Sequence, residues 1–249
     1  MKLYGLIGYP LSHSFSKKYF TQKFEREGKP NEIYENYPID NITKLQRIIK
    51  ENPALIGLNV TIPYKEQVLI YLNSIRDEAR EIEAVNTIKI IRNKNEIILS
   101  GYNTDVFGFK QSLFPHLKPH HTHALILGSG GASKAIKYVL ESLNIQFMTV
   151  SRNPKGRNCI AYQDVDNYIL ETYTVIINTT SLGTYPGVEE YPDIPYDYVD
   201  RQHLLFDLVY NPPLTAFLNN GKKNGAAVIN GLEMLHLQAE KSYEIWNSN

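Results

Sequence analysis

The chain has one cysteine, Cys159, in 249 residues. No disulfide framework can form within it. Such a composition suits a reducing cytosol, so a cytoplasmic location is expected. An excess of charge of one sign is also missing, since 26 Lys and Arg face 26 Asp and Glu. A balanced chain leaves no electrostatic footprint for nucleic acid or an anionic membrane, and neither is expected as a partner. Long apolar runs are absent too. The opening MKLYGLIGYPLSHS is broken at Pro10 and reads as neither a signal peptide nor a membrane span. No repeat or low-complexity tract occurs. What remains is a chain with 43% hydrophobic residues, enough for one large or two modest cores. Tyrosine is frequent, 18 in all, but scattered rather than periodic.

Short apolar runs alternate with longer amphipathic ones. LYGLIG (3–8) predicts a strand. SKKYFTQKFEREG (16–28) predicts a helix with Tyr19, Phe20 and Phe24 on one stripe and Gly28 as its stop. EIYENYPI (32–39) and ALIGLNVT (54–61) predict strands. Between them NITKLQRIIKEN (41–52) predicts a helix capped by Asn41. A helix-rich stretch is expected from Lys65 to Ala84, and 86–102 reads as two strands around RNKN. After the polar stretch HLKPHHTH (116–123), strands are expected within 123–127, 145–151, 173–183, 203–213 and 226–231. Helices are expected after 128 and over 232–246. Strands alternating with helices favour a wrapped, largely parallel α/β sheet. The change of character near 101–120 marks a domain boundary.

GSGGAS (128–133) follows a strand and opens a helix, the context in which a glycine pattern carries meaning. Gly128 permits the tight turn and Gly130 lets the backbone approach a pyrophosphate. The helix N-terminus then offers N–H donors. Without a ligand, the same residues are simply a strand–helix turn. The next strand ends at Val150, where an NAD site places an acidic residue for the ribose 2′-hydroxyl. SRNPKGR stands there instead. Arg152 and Lys155, with Arg157 beyond, suit a 2′-phosphate, so NADP is expected rather than NAD. The bland alternative is a solvated basic loop.

Four polar signals in the first half fall at loops or strand ends: Ser12, Ser14 and Ser16; Asn59, Thr61 and Lys65; Asn86 and Thr87; Asn103 and Asp105. Hydroxyls alternating along an extended loop can converge on a carboxylate. Each signal alone is as readily a cap or a solvated residue, and Asp105 suits a first helical turn on dipole grounds.

Together these residues resemble the shikimate dehydrogenase family. HSFS, NVTIPYK, AVNT, GYNTDVFG and the glycine loop GSGGAS match its segments in order, SRNPK matches its basic motif loosely, and NTT, DLVYNPP, GLEML and QA follow. The resemblance runs from Gly5 to about Trp246. It implies an α/β fold of two domains. Residues 1–101 would be a substrate-binding domain with a mostly parallel sheet, with 232–249 packing back on it. Residues 102–231 would be a Rossmann-like NADP-binding domain. It implies an NADP-dependent oxidoreductase acting on a CH–OH group, reducing 3-dehydroshikimate to shikimate reversibly. Ser14, Ser16 and Tyr210 would hold the carboxylate. Asn59, Thr61, Asn86, Asp105 and Gln238 would hold the ring hydroxyls, and Lys65 and Asp105 would flank the reacting oxygen. Either of that pair could carry the proton. Cofactor contacts would come from Gly128, Ser129, Gly130, Gly131, Ala132, Ser133, Ser151, Arg152 and Lys155. The nicotinamide side would be lined by Asn178, Thr179, Val209, Gly231 and Met234, although Asn178 and Thr179 also read as a helix cap.

The chain departs from the family in places. Only 23 residues separate Val150 from Thr174, so the crossover helix there is expected to shrink to DVDNYILET. Ser181 and Thr184 replace the commoner Pro and Met. The clustered histidines 116, 120, 121 and 123 lack a completing carboxylate or thiol, and no metal is expected. Two other readings stay open: a dehydrogenase that also accepts quinate, and a non-catalytic NADP-binding sensor. The chain is expected to act as a monomer or a homodimer.

Overall fold

The computed structural model describes residues 1–11, 14–94 and 96–248. The chain forms two compact units, Met1–Thr104 with Ala239–Asn249, and Asp105–Gln238.

The first unit runs β1 (Lys2–Gly8), α1 (Phe15–Arg26), β2 (Glu32–Pro38), α2 (Leu45–Glu51), β3 (Leu55–Val60), β4 (Ser74–Ile75), α3 (Asp77–Ile82), β5 (Thr87–Arg92) and β6 (Ile97–Tyr102). Its sheet has the order β2-β1-β3-β5-β6-β4. β1 runs parallel to β2 and β3, and β4 parallel to β6, whereas β5 is antiparallel to β3 and β6. β1 is buried on both faces, as a near-continuous apolar run requires. Leu3 and Ile7 join a core with Leu45, Leu55, Leu58 and Ile88. Tyr4 and Leu6 join an aromatic core with Phe20, Phe24, Tyr34 and Trp246. The scattered tyrosines therefore include members of one cluster. Phe20 stacks on Tyr34 with ring centroids 4.6 Å apart.

The second unit continues with α4 (Asp105–Leu113), β7 (His123–Leu127), α5 (Gly131–Ser142), β8 (Gln146–Val150), β9 (Cys159–Ile160), α6 (Asn167–Thr172), β10 (Val175–Asn178), β11 (Leu204–Asp207), α7 (Ala216–Lys223), β12 (Ala227–Ile229) and α8 (Leu232–Asn247), whose last residues belong to the first unit. Its strands are all parallel, in the order β12-β11-β10-β7-β8-β9. This is the doubly wound arrangement, with the order reversing between β7 and β10. α5 buries Ala135, Ile136, Val139 and Leu140 at helical spacing.

Some expected elements take another form. Asn41 does accept from the Thr43 N–H, but its helix opens as a 3-10 turn over Ile42–Lys44. The stretch after Lys65 holds a 3-10 turn over Gln67–Tyr71, the two-residue β4 and the short α3 in place of a long helix. Val68 is the buried residue of that 3-10 turn, too little apolar surface there to carry α-helix. The crossover after Val150 is shortened as the spacing predicted, to β9, a 3-10 turn and the six-residue α6 capped by Asp166. The turn between β5 and β6 includes Asn95, outside the described residues. Among the described residues no helix is long and apolar enough to cross a membrane.

Candidate active site

In the first unit, the carboxyl ends of β1, β3 and β6 and the amino end of β5 meet at one end of the sheet. Asn59 is in register with Thr87, and Thr87 with Tyr102. The polar segments foreseen from sequence are delivered there. The Thr61 N–H donates to the Ile7 carbonyl at 3.0 Å, and a Cβ on Gly8 would stand 2.3 Å from Thr61. The Val60 N–H donates to the Asn86 carbonyl at 2.8 Å, and the Val85 N–H to the Lys65 carbonyl at 2.8 Å. The loop carrying Lys65 is thus pinned to the segment carrying Asn86. Tyr64 secures it from beneath, its hydroxyl donating to the Ile39 carbonyl at 2.7 Å. Asn103 ties the end of β6 to the same segment, donating to the Ala84 carbonyl at 3.0 Å.

The two site asparagines are held in definite orientations. The Asn59 amide oxygen accepts from the Tyr34 hydroxyl at 2.8 Å, and its nitrogen donates to Ser242 at 3.0 Å and Thr87 at 3.2 Å. The Asn86 amide oxygen accepts from the Thr104 N–H at 2.7 Å and the Thr87 hydroxyl at 3.1 Å. That leaves the Asn86 amide nitrogen, a donor, on the other arm of the amide. Ser16 stands within polar reach of the Tyr34 hydroxyl, whose pKa is driven well above the phenol range by burial. The Ser14 hydroxyl oxygen is buried with no hydrogen-bond partner among the described residues. A buried orphan hydroxyl is costly, and a polar ligand would relieve it. Ser12 lies outside the described residues. Tyr34, Thr104 and Ser242 were not singled out from sequence. A buried tyrosine and a serine on a helix carry no local mark of such a role.

The second unit holds a pocket of about 900 Å³ at the carboxyl end of its sheet. Gly128, Ser129 and Gly130 line it, with Ser151, Arg152 and Lys155 opposite. Gly128 has φ +108, and its N–H donates to the Val150 carbonyl at 2.8 Å. A Cβ there would stand 2.8 Å from the Thr179 hydroxyl oxygen, so the turn admits only glycine. A Cβ on Gly130 would meet nothing within 4 Å, so the backbone there faces open space. α5 starts next, and Gly130 supplies no side-chain cap to its N–H groups. The Ser129 and Ser151 hydroxyls lie 3.0 Å apart and join the two walls. Ser133 is buried and donates to the Gly130 carbonyl at 2.7 Å, bracing the turn from inside. Gly131 and Ala132 form the first turn of α5 with it. Arg152 and Lys155 are exposed on the pocket wall. Cys159 and Tyr162, on the shortened crossover, also line it.

Of the residues expected on the nicotinamide side, Thr179 lines this pocket, whereas Asn178, Val209, Gly231 and Met234 do not. Asn178 is fully buried and faces Asp207, to which it donates at 2.9 Å. Asp207, not foreseen as a site residue, also accepts from the Val209 N–H at 3.0 Å and the Thr215 hydroxyl at 2.5 Å. Burial pushes its carboxyl up to about 6 despite these donors. The Gly231 N–H donates to the Val209 carbonyl, and a Cβ on Gly231 would strike the Leu208 carbonyl at 2.2 Å. Asp105 opens α4 as its first-turn acid. Gln238 and Met234, on α8, close over Gly108, where a Cβ would stand 2.6 Å from the Met234 carbonyl. Tyr210 is half-buried, and that burial raises its phenol.

Comparison with known proteins agrees with this geometry. Residues 6–88 match the family described as the shikimate dehydrogenase substrate binding domain. The chain is 38% identical to the shikimate dehydrogenase (NADP(+)) of Clostridium beijerinckii, covering 99% of this chain and 92% of that one. It superposes with a TM-score of 0.86 on a chorismate mutase/shikimate 5-dehydrogenase fusion protein from Clostridium acetobutylicum, at 35% identity over 99% of this chain and 91% of that one. It also superposes, with a TM-score of 0.85 and 28% identity over 99% and 94% of the two chains, on shikimate 5-dehydrogenase from Thermus thermophilus in complex with NADP(H) and shikimate. With relatives matched over nearly the whole of both chains, the chain belongs to the shikimate dehydrogenase family.

Proposed function

We propose that this protein reduces 3-dehydroshikimate to shikimate with NADPH, reversibly, as an oxidoreductase acting on a CH–OH group. The first unit is its substrate-binding domain and the second its NADP-binding domain. The observation that carries this reading is the end of the first sheet, where oriented amides and the orphaned Ser14 hydroxyl suit a carboxylate bearing several hydroxyls. Ser14, Ser16 and Tyr210 hold the carboxylate. Asn59, Thr61, Asn86, Asp105 and Gln238 hold the ring hydroxyls.

The second unit fits NADP(H). Its glycine turn has room at Gly130 for a pyrophosphate, and the uncapped start of α5 offers it N–H donors. Arg152 and Lys155 stand on the pocket wall where an NAD site would carry an acid, and suit a 2′-phosphate. Ser151 braces the loop that carries them, accepting from the Asn153 N–H at 3.3 Å. Bound NADPH supplies the hydride. As hydride reaches the ketone carbon, its oxygen gains negative charge. Lys65 stabilises that charge and gives the oxygen the proton that completes the hydroxyl, and Asp105 orients the oxygen and keeps the lysine polarised. The protein works in the cytoplasm as a monomer or homodimer.

Steady-state turnover with shikimate or quinate, each with NADP+ or NAD+, tests the proposal. Shikimate with NADP+ should give the highest kcat/KM. Equal efficiency with quinate would make it a dual-specificity dehydrogenase, and no turnover despite NADP+ binding would make it a sensor.

A further inference from the structure

The buried side chains behind the two site asparagines form a hydrogen-bonded cluster. The Tyr34 hydroxyl donates to the Asn59 amide oxygen. The Asn59 nitrogen can only donate, so Ser242, 3.0 Å away, accepts. The Ser242 hydroxyl also lies 2.7 Å from the Thr87 hydroxyl, a hydrogen bond in which either can donate. The Thr87 hydrogen goes to the Asn86 amide oxygen at 3.1 Å. Ser242 also lies 3.1 Å from the Thr104 hydroxyl, which donates to the same Asn86 oxygen at 3.2 Å. Asn59 is the most exposed of these residues at 6%, so water is a poor replacement for a missing member. Ser242 is the member of this cluster that comes from α8, and it touches Asn59, Thr87 and Thr104 at once, beside the direct Asn59–Thr87 bond at 3.2 Å.

We propose that Ser242 is a positioning residue for the substrate. It does not touch shikimate. Through Asn59 on one side and Thr87 on the other it helps to fix the orientation of each asparagine amide. Without its hydroxyl, Asn59 loses its shorter amide acceptor and Thr87 and Thr104 each lose a partner, which loosens the hold on both amides. The inference rests on the reading of this site as the shikimate site.

The test compares wild type, Ser242→Ala and Lys89→Met. Lys89 donates to the backbone carbonyl and hydroxyl of Ser248 at 2.6 and 3.0 Å, so it anchors the same helix end outside the network. Both variants should lower Tm. Ser242→Ala should raise the KM for shikimate about five- to tenfold, as loss of a buried hydrogen bond implies, with kcat changed less than about twofold. The KM for NADP+ should not move, and Lys89→Met should leave the shikimate KM unchanged. An unaltered shikimate KM in Ser242→Ala, a loss confined to kcat, or an equal rise in Lys89→Met would overturn the proposal. Wild type inactive on shikimate would overturn the functional assignment, and the inference with it.

Discussion

Asp207 is buried, and its carboxyl stands at about 6 against an ordinary 3.8. A folded-state value above the unfolded one means that folding favours the protonated form. The stability contribution is therefore fully present below the unfolded value and is lost as pH rises through about 6. The difference in urea midpoint between wild type and Asp207→Asn should move in favour of wild type as pH falls from 7 to 4. A difference that stays flat across that range would count against the burial argument. Gly128 makes a second residue-scale prediction. Gly128→Ala meets both a φ of +108 and the nearby Thr179 and Thr180 side chains, so the turn must shift. The KM for NADP+ should rise roughly tenfold or more while the dissociation constant for shikimate stays put, since strain of about 1–2 kcal/mol falls on the turn alone. Titration calorimetry with each ligand separates the two. Both residues stand in stretches that sequence had marked, but only Gly128 was legible. A glycine needing positive φ announces itself between a strand and a helix. Asp207 looks like any strand-end acid until Asn178, Val209 and Thr215 are brought around it.

The carboxyl-terminal element has two jobs in one helix. The last turns of α8 place Trp246 3% exposed against β3, where Gly57 leaves space for its ring, and stack it on Tyr4 at 5.0 Å. Its indole N–H donates to the Ile88 carbonyl at 3.0 Å. Lys23 and Lys29 meet Tyr243 on the same helix, and Lys23 pairs with Glu240 at 2.7 Å. Trp246→Ala should cost about 3–5 kcal/mol, the usual range for emptying a buried aromatic site. Urea unfolding followed by far-UV circular dichroism measures it, and a loss under 1 kcal/mol would show that α8 is not anchored by this ring. Element boundaries were legible where one segment carries its own pattern, as in α1 and α5. They failed where packing decides. AFLNNGKK has two asparagines and a glycine, a weak helix by propensity, and α7 was not foreseen. It forms because Thr215 accepts from the Leu218 N–H and because Phe217 and Leu218 enter the core.

At the scale of the whole molecule, each unit has its own core, and the proposed function gives each its own ligand. Ligands that bind the native state protect it in proportion to RT ln(1 + [L]/Kd), about 2.7 kcal/mol at a hundredfold excess over Kd. Hydrogen exchange should therefore divide by ligand. NADP+ alone should slow exchange over 128–155 and around Thr179, and shikimate alone around Ser14, Asn59 and Asn86. Protection of 128–155 by shikimate alone would contradict the assignment of one ligand to each unit. The division into two halves was visible in sequence because motifs follow the chain in order. The buried chain through Tyr34, Asn59 and Ser242 was not, because its members lie up to 208 residues apart and only folding unites them.

The most direct test of this account is absorbance at 340 nm for wild type and Lys65→Met, each supplied with shikimate and NADP+. Wild type should reduce NADP+ briskly, and kcat should fall roughly a thousandfold in the variant, the scale expected when charge stabilisation and proton transfer are lost together. Turnover by Lys65→Met within tenfold of wild type would contradict it.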